Sequence, residues 1–255
     1  MSGENGCIGF FDSGLGGLNI WREVTSLLPT LSTVYLADSA YAPYGNKPES
    51  RILERATENT EFLLQKGATL IVIACNTATT IAIQYLRKQY SVPFVGIEPA
   101  IKPAAQQSKN KCIGVLATEG TINSSLFNET YNRFGKEVTA VVKVGDGLVE
   151  LIEAGRKDST EMRVLLWSYL EPMMEARIDH IVLGCTHYPF LKPLIQELTG
   201  GTVEIVDSGP AVARRVADLL HNQHPLTTAQ SRHQFYTNGN AKVLEKIFAL
   251  GIPEG

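Results

Sequence analysis

Short apolar runs, rich in β-branched residues, alternate along this chain with longer stretches in which apolar positions recur at helical spacing. The short runs predict strands at Ile8–Phe11, Thr33–Leu36, Leu70–Ala74, Phe94–Gly96, Ile113–Ala117, Val138–Val142, Ile181–Gly184, Val203–Val206 and His233–Thr237. The longer stretches predict helices between them, including Glu49–Gln65, Ala78–Gln89 and Met162–Ala176. Alternation of this kind builds parallel sheets with crossover helices on both faces, an α/β fold. A run such as Leu70-Ile-Val-Ile-Ala74 has no polar alternation, which fits a strand buried on both sides.

The pattern also repeats. Cys7-Ile-Gly-Phe-Phe resembles Cys112-Ile-Gly-Val-Leu, and Ile71-Val-Ile-Ala-Cys75-Asn-Thr resembles Ile181-Val-Leu-Gly-Cys185-Thr-His, at nearly one offset. Two similar α/β halves are expected, each doubly wound around a mainly parallel sheet. The division expected is residues 1–97 with 208–255 in a first lobe carrying Cys75, and 98–207 in a second carrying Cys185.

Composition narrows the functional classes. The chain has 255 residues and a formal charge of −3, so it has no basic stripe suited to a phosphate backbone, and neither nucleic acid nor membrane is an expected partner. The polar start Met1-Ser-Gly-Glu-Asn-Gly6 does not read as a secretory leader, and no apolar run approaches the ~18 residues of a membrane span. Four widely spread cysteines do not form a disulfide framework, so a reducing, cytoplasmic setting is expected.

Ligands of open α/β sheets bind at the carboxyl ends of strands. Three motifs fall there: Ile8–Gly17 with Asp12-Ser13 and a glycine-rich turn, Ile71–Thr79 with Cys75-Asn76-Thr77, and Ile181–Pro189 with Cys185-Thr186-His187. Several familiar chemistries fail on these residues. Leu15 stands where a phosphate-binding loop needs lysine, and Asn19 where a dinucleotide turn needs its last glycine. Ile81 and Leu191 stand where a cysteine phosphatase would carry arginine, and Cys185 with His187 is too small a set for zinc. No metal and no cofactor is expected.

Two cysteines at strand tips remain, one in each half. A helix N-terminus favours the thiolate, so a modest shift from the unperturbed pKa of ~8.5 would poise each near neutrality. Two such groups on opposite faces of one carbon could exchange its hydrogen, one removing a proton as thiolate and the other donating one as thiol. A lone cysteine after a strand is otherwise a small core residue. Here each is followed by polar groups that packing does not require. Cys7 and Cys112, at strand starts, read as inert. Asp12-Ser13 suits either a helix cap before Leu15–Leu28 or a carboxylate that orients a thiol, and His187 suits a proton relay. The glycine-rich and amide-rich turns would offer N–H donors to substrate carboxylates.

These residues resemble glutamate racemase. The matching segments are Phe11-Asp12-Ser-Gly-Leu-Gly-Gly17, Pro43-Tyr44-Gly45, Ala74-Cys75-Asn-Thr-Ala78, Gly96-Ile-Glu-Pro99, Gly184-Cys185-Thr-His-Tyr-Pro189 and Asp207-Ser208-Gly209, in family order and spacing. The resemblance implies cofactor-independent interconversion of L- and D-glutamate, which supplies peptidoglycan synthesis. Cys75 would serve the D-enantiomer with help from Asp12, and Cys185 the L-enantiomer with help from His187. A further family carboxylate maps to Glu153, although Glu150 replaces the usual proline of its motif. Substrate contacts would come from Asp12, Ser13, Tyr44, Gly45, Asn76, Thr77, Thr118, Thr121, Thr186 and His187. A homodimer is implied. Control by a cell-wall precursor, found in relatives with longer N-terminal extensions, is not expected with so few residues before Cys7. The alternatives are a sister racemase or isomerase acting on aspartate, hydantoin or maleate, and an inactive protein of the same fold that binds another enzyme; in some relatives inhibition of DNA gyrase is a second role.

Overall fold

A computed structural model of the chain describes residues 6–134, 137–221 and 231–240. All nine expected strands are present: β1 (Cys7–Asp12), β2 (Thr33–Ala37), β3 (Ala68–Ile73), β4 (Phe94–Gly96), β5 (Cys112–Ala117), β6 (Thr139–Val144), β7 (His180–Gly184), β8 (Glu204–Val206) and β9 (His233–Thr237). They form two sheets, ordered β4-β3-β1-β2-β9 and β6-β5-β7-β8, and every neighbouring pair is parallel. Read from the other edge, the second sheet runs β8-β7-β5-β6. This is the order of β4-β3-β1-β2, and it gives Cys7 and Cys112, and likewise Cys75 and Cys185, equivalent positions in the two sheets, as the sequence repeat requires. Strand β9 is an addition to the first sheet, brought back from the end of the chain.

Side-chain alternation explains the layers. In the first sheet Phe10 and Val72 face α1 (Leu18–Leu27), where they pack with Trp21, Val24, Val212 and Val216. Phe11, Ile71 and Ile73 face the opposite side, against Ile52 and Leu63 of α2 (Glu49–Gln65) and Ile83 and Leu86 of α3 (Asn76–Gln89). The second sheet does the same. Ile113 and Val115 pack on α4 (Ile101–Gln107), while Leu116, Ile181 and Leu183 face the layer of α7 (Leu148–Glu153), α8 (Thr160–Glu175) and α9 (Lys192–Leu198). The central strands β1 and β7 are therefore buried almost throughout, whereas the edge strands β6 and β9 are largely half-buried. The remaining helices are α5 (Glu119–Ile122), α6 (Ser125–Phe134) and α10 (Gly209–His221), the last packed beside α1.

Most boundaries shift by one or two residues, as at α3 and α8, and one shifts further. The first helix begins at Leu18 rather than Leu15, because Gly14–Gly17 form a turn whose N–H groups are used elsewhere. In each sheet the switch in strand order lies between two central strands, β1 and β3 in one and β5 and β7 in the other. Crevices for ligands open at such points. Cys75 directly follows this site after β3, and Cys185 follows it after β7.

The core away from these ends serves stability. Leu166 on α8 is fully buried. Leu166→Ala is expected to lower unfolding free energy by ~2–5 kcal/mol, read from the shift of a urea midpoint. Catalytic constants of the folded variant should stay near the parent's.

Candidate active site

Residues that follow strands of both sheets meet in one buried cluster. Asp12 ends β1 and is wholly buried. Its Oδ2 accepts the Gly17 N–H at 2.7 Å, and the Thr186 hydroxyl, from the other sheet, lies 3.4 Å from Oδ1. Asp12 thus acts on the start of α1 as a cap would, and also faces across to the second half.

Cys75 is the N-cap of α3, and its Sγ accepts the Ala78 N–H at 3.5 Å. The Ser13 hydroxyl lies 3.7 Å away. Cys185 follows β7, with Sγ 3.8 Å from Nδ1 of His187. The other ring nitrogen, Nε2, is 2.5 Å from Oε1 of Glu153, at the end of α7. A carboxylate only accepts, so this contact places a proton on Nε2. Glu150, one turn earlier, lines a shallow cleft of about 40 Å³ with Gly45, Thr118 and Gly147, and the carboxylate that reaches His187 is Glu153.

The glycine-rich turn is built for close approach. A Cβ on Gly14 would lie 2.0 Å from Glu153 Oε1, and one on Gly16 would lie 2.5 Å from His187 Nδ1. The Leu15 N–H donates to Glu153 Oε1 at 2.7 Å, and the Gly16 nitrogen lies 3.3 Å from His187 Nε2. This corrects one expectation. The Leu15 and Gly17 amides bind Glu153 and Asp12, side chains of the protein, instead of being held for a substrate carboxylate. Asn19 adds to the same contact, its Nδ2 donating to Thr186 O at 3.1 Å.

The neutral polar residues cluster beside the thiols. The hydroxyls of Thr77, Thr118 and Thr121 form a chain, 3.1 Å from the first to the second and 2.9 Å from the second to the third. Thr77 stands on α3 and Thr118 follows β5, so this chain joins the two sheets. Gly45 packs directly on Thr118. Asn76 is buried, and its Nδ2 has no acceptor among the described residues, a donor left for a bound group. Tyr44 is a partial exception. Its hydroxyl donates to Asp38 and accepts from Asn59, so its ring is an anchor and the hydroxyl does not reach the thiols. Sequence reading missed Asp38, Arg55 and Asn238, which bind one another far apart along the chain. Asp38 had a signal, its place just past a strand that neighbours β1.

Electrostatics separates the two thiols. Burial pushes the Cys75 thiol well above its usual pKa, and the Asp12 carboxylate pushes it further; the Ala78 N–H and Ser13 pull it down less strongly. The expected near-neutral value is therefore not what the fold produces at Cys75, because desolvation outweighs one helix N-terminus. Charge on Cys185 also raises it, so the two sulfurs act on each other. For His187, burial alone would lower the pKa, but hydrogen bonds and charge from Cys185 and Glu153 outweigh it and push it well above the usual histidine value. Asp12 is raised by burial, against the opposing pull of His187 and the Gly17 N–H.

Among the described residues no group of three or more His, Cys, Asp or Glu side chains could hold a metal ion. All four cysteines are free, and Cys7 and Cys112 lie half-buried at strand starts, away from this cluster.

The family model for Asp/Glu/hydantoin racemases matches residues 19–216, across both sheets. The chain belongs to the Asp/Glu/hydantoin racemase family. Within this racemase family, a glutamate racemase of Pseudomonas aeruginosa PAO1 is 42% identical over 258 aligned positions, covering 100% of this chain and 97% of its own. A glutamate racemase of Ectopseudomonas mendocina is also 42% identical, again over the whole chain. The solved structure of Escherichia coli glutamate racemase, with L-glutamate and the activator UDP-MurNAc-Ala, superposes with a TM-score of 0.87 at 34% identity. That match covers 96% of this chain and 95% of the other.

The raised pKa of Asp12 gives a signed prediction. A group whose folded pKa lies above its unfolded value of ~3.9 stabilises the fold fully below that value, and the contribution is lost as pH rises through the folded pKa. Asp12→Asn removes the ionisation. Its stability relative to the parent should therefore improve as pH rises from below ~4 towards neutrality, in paired denaturant titrations. Its turnover should fall throughout. A gap that stayed constant with pH would show that Asp12 ionises without cost.

Proposed function

We propose that this chain interconverts L- and D-glutamate without a cofactor, with Cys75 and Cys185 as the two proton-transfer groups. The observation that carries this reading is a pair of buried thiols, each just past a central strand of its own sheet, and each with a separate acid/base partner. The full-length likeness to glutamate racemases supports glutamate as substrate.

The mechanism follows from the asymmetry. His187 can take the proton of Cys185, with Glu153 stabilising the imidazolium that forms. Cys185 then removes the Cα proton of L-glutamate as a thiolate. Its sulfur gains S–H, and the C–H electron pair stays on Cα. Cys75, held protonated by burial, delivers its proton to the opposite face and becomes the thiolate, next to Ser13 and the Ala78 N–H. The product is D-glutamate. The reverse reaction starts from the thiolate at Cys75 and the thiol at Cys185. Asn76 Nδ2 and the threonine hydroxyls supply neutral hydrogen bonds to the carboxylates and amine of a small zwitterion, with Ser13, Gly45 and Thr186 completing the enclosure.

D-Glutamate made this way would enter peptidoglycan synthesis. No helix among the described residues is long and apolar enough to cross a membrane, and we place the activity in the cytoplasm of the cell as a homodimer. We also assign residues 1–97 with 208–255 to one lobe and 98–207 to the other. Sheet membership supports this, with residues 1–5, 135–136, 222–230 and 241–255 outside the described set.

Two experiments test the reading. Polarimetry on a panel of small acids should show turnover of glutamate well above aspartate, hydantoins and maleate. Faster turnover of aspartate would transfer the assignment to a sister activity, and α-deuterium incorporation into none of them would leave only a binding role. Cys75→Ala and Cys185→Ala should each lower racemisation by on the order of 10²–10⁴-fold or more, since each removes the proton-transfer group on one face. In D₂O, Cys75→Ala should still exchange the α-proton of L-glutamate, and Cys185→Ala that of D-glutamate, without inversion. Near-parent racemisation by either variant would rule out the paired-thiol mechanism.

A further inference from the structure

A second buried network lies beside the thiols without touching them. Asp38 follows β2, is fully buried, and its N–H donates to Asp12 O at 2.9 Å. Its carboxylate takes both arms of Arg55 from α2, Nε at 2.9 Å and Nη2 at 2.8 Å. The remaining lone pairs take the Tyr44 hydroxyl and the Asn238 amide. A buried carboxylate bonded this way is held rigidly, because losing any partner leaves charge uncompensated.

Asn238 is placed by register. Strand β9 pairs with β2 from Thr33↔His233 to Ala37↔Thr237, so the next residues, Asp38 and Asn238, stand side by side. The Asn238 amide is used at both ends. Nδ2 donates to Asp38, and Oδ1 accepts the Ala40 N–H at 2.9 Å. Gly239 then lies against Ser39, where a Cβ would come within 2.6 Å of the serine Cβ. The segment after β9 thus grips both the start of the loop 39–46 and the carboxylate that anchors its Tyr44. That loop ends on Gly45, which packs on Thr118, and Thr118 bonds Thr77 and Thr121 in the hydroxyl chain.

We propose that Asn238 is a positioning residue for substrate binding: by holding Asp38 and Ala40 together it sets the seat of Gly45 on Thr118, and with it the grip of the hydroxyl chain on glutamate. This rests on the racemase reading above and deepens it. Strand β9 and the residues just after it, which have no counterpart in the repeat, thereby govern affinity from outside the cluster. Asn238 bonds neither thiol, nor Asp12, His187 or Glu153, so proton transfer proceeds at its own rate once substrate is bound.

The test compares the parent, Asn238→Ala and Gly239→Ala. The first removes both amide bonds. The second leaves them in place and pushes a methyl group against Ser39. Each should raise KM for L- and D-glutamate alike by roughly tenfold, equivalent to ~1.4 kcal/mol, with kcat within about twofold of the parent. The pH profile of kcat should be unchanged. Titration calorimetry with L-glutamate should give the same ranking without turnover. A parent that binds glutamate but does not racemise it would refute the activity and leave the affinity ranking to judge this proposal. Unchanged KM and affinity in either folded variant, or kcat loss at constant KM, would overturn it. If Asn238→Ala fails to fold, Gly239→Ala decides alone.

Discussion

The carboxylate of Glu153 joins the two sheets of the molecule beside the cluster that holds both buried thiols. One oxygen meets both the Leu15 N–H of the first half and His187 of the second. Around it, Gly16 lies against the imidazole, Thr186 faces Asp12, and Asn19 binds the Thr186 carbonyl. These contacts need the chain to pass within touching distance of bulky side chains, which only glycine at 14 and 16 allows. The Thr77–Thr118 hydroxyl contact and the seat of Gly45 on Thr118 add a second link between the same two sheets.

The duplicated backbone does not carry duplicated chemistry. Both cysteines occupy equivalent places past β3 and β7, so topology treats them alike. Their partners differ. Cys75 has a helix N-terminus, a serine and a buried carboxylate that discourages its ionisation, whereas Cys185 has an imidazole that is hydrogen-bonded in turn to a second carboxylate. The two strand tips are therefore alike in backbone and unlike in the groups that surround the sulfur.

Much of this was legible in the sequence. Nearly uninterrupted apolar runs marked the central strands, such as Leu70–Ala74 and Ile181–Gly184, because strands covered by helices on both faces have no polar side, while the half-buried edge strand β9 carries polar residues among its aromatic ones. The two thiols stood out because each run ended in cysteine followed by polar groups. Glu153 was reachable only through family resemblance, since nothing in Leu151-Ile152-Glu153 signals that the carboxylate points at a histidine 34 residues on. Three features were out of reach for physical reasons. The raised pKa of Cys75 comes from burial, a tertiary property. The use of the Leu15 and Gly17 amides depends on which side chains arrive from elsewhere. The Asp38 network joins residues 17 and 200 positions apart, through a parallel pairing that no local pattern encodes.

The central claim is geometric, and a crystal structure with glutamate bound tests it most directly. The account predicts one glutamate lying between the halves, with Cys75 Sγ and Cys185 Sγ on opposite faces of its Cα, each at roughly 3–3.5 Å. Both sulfurs on the same face, or a glutamate bound out of reach of either, would contradict it.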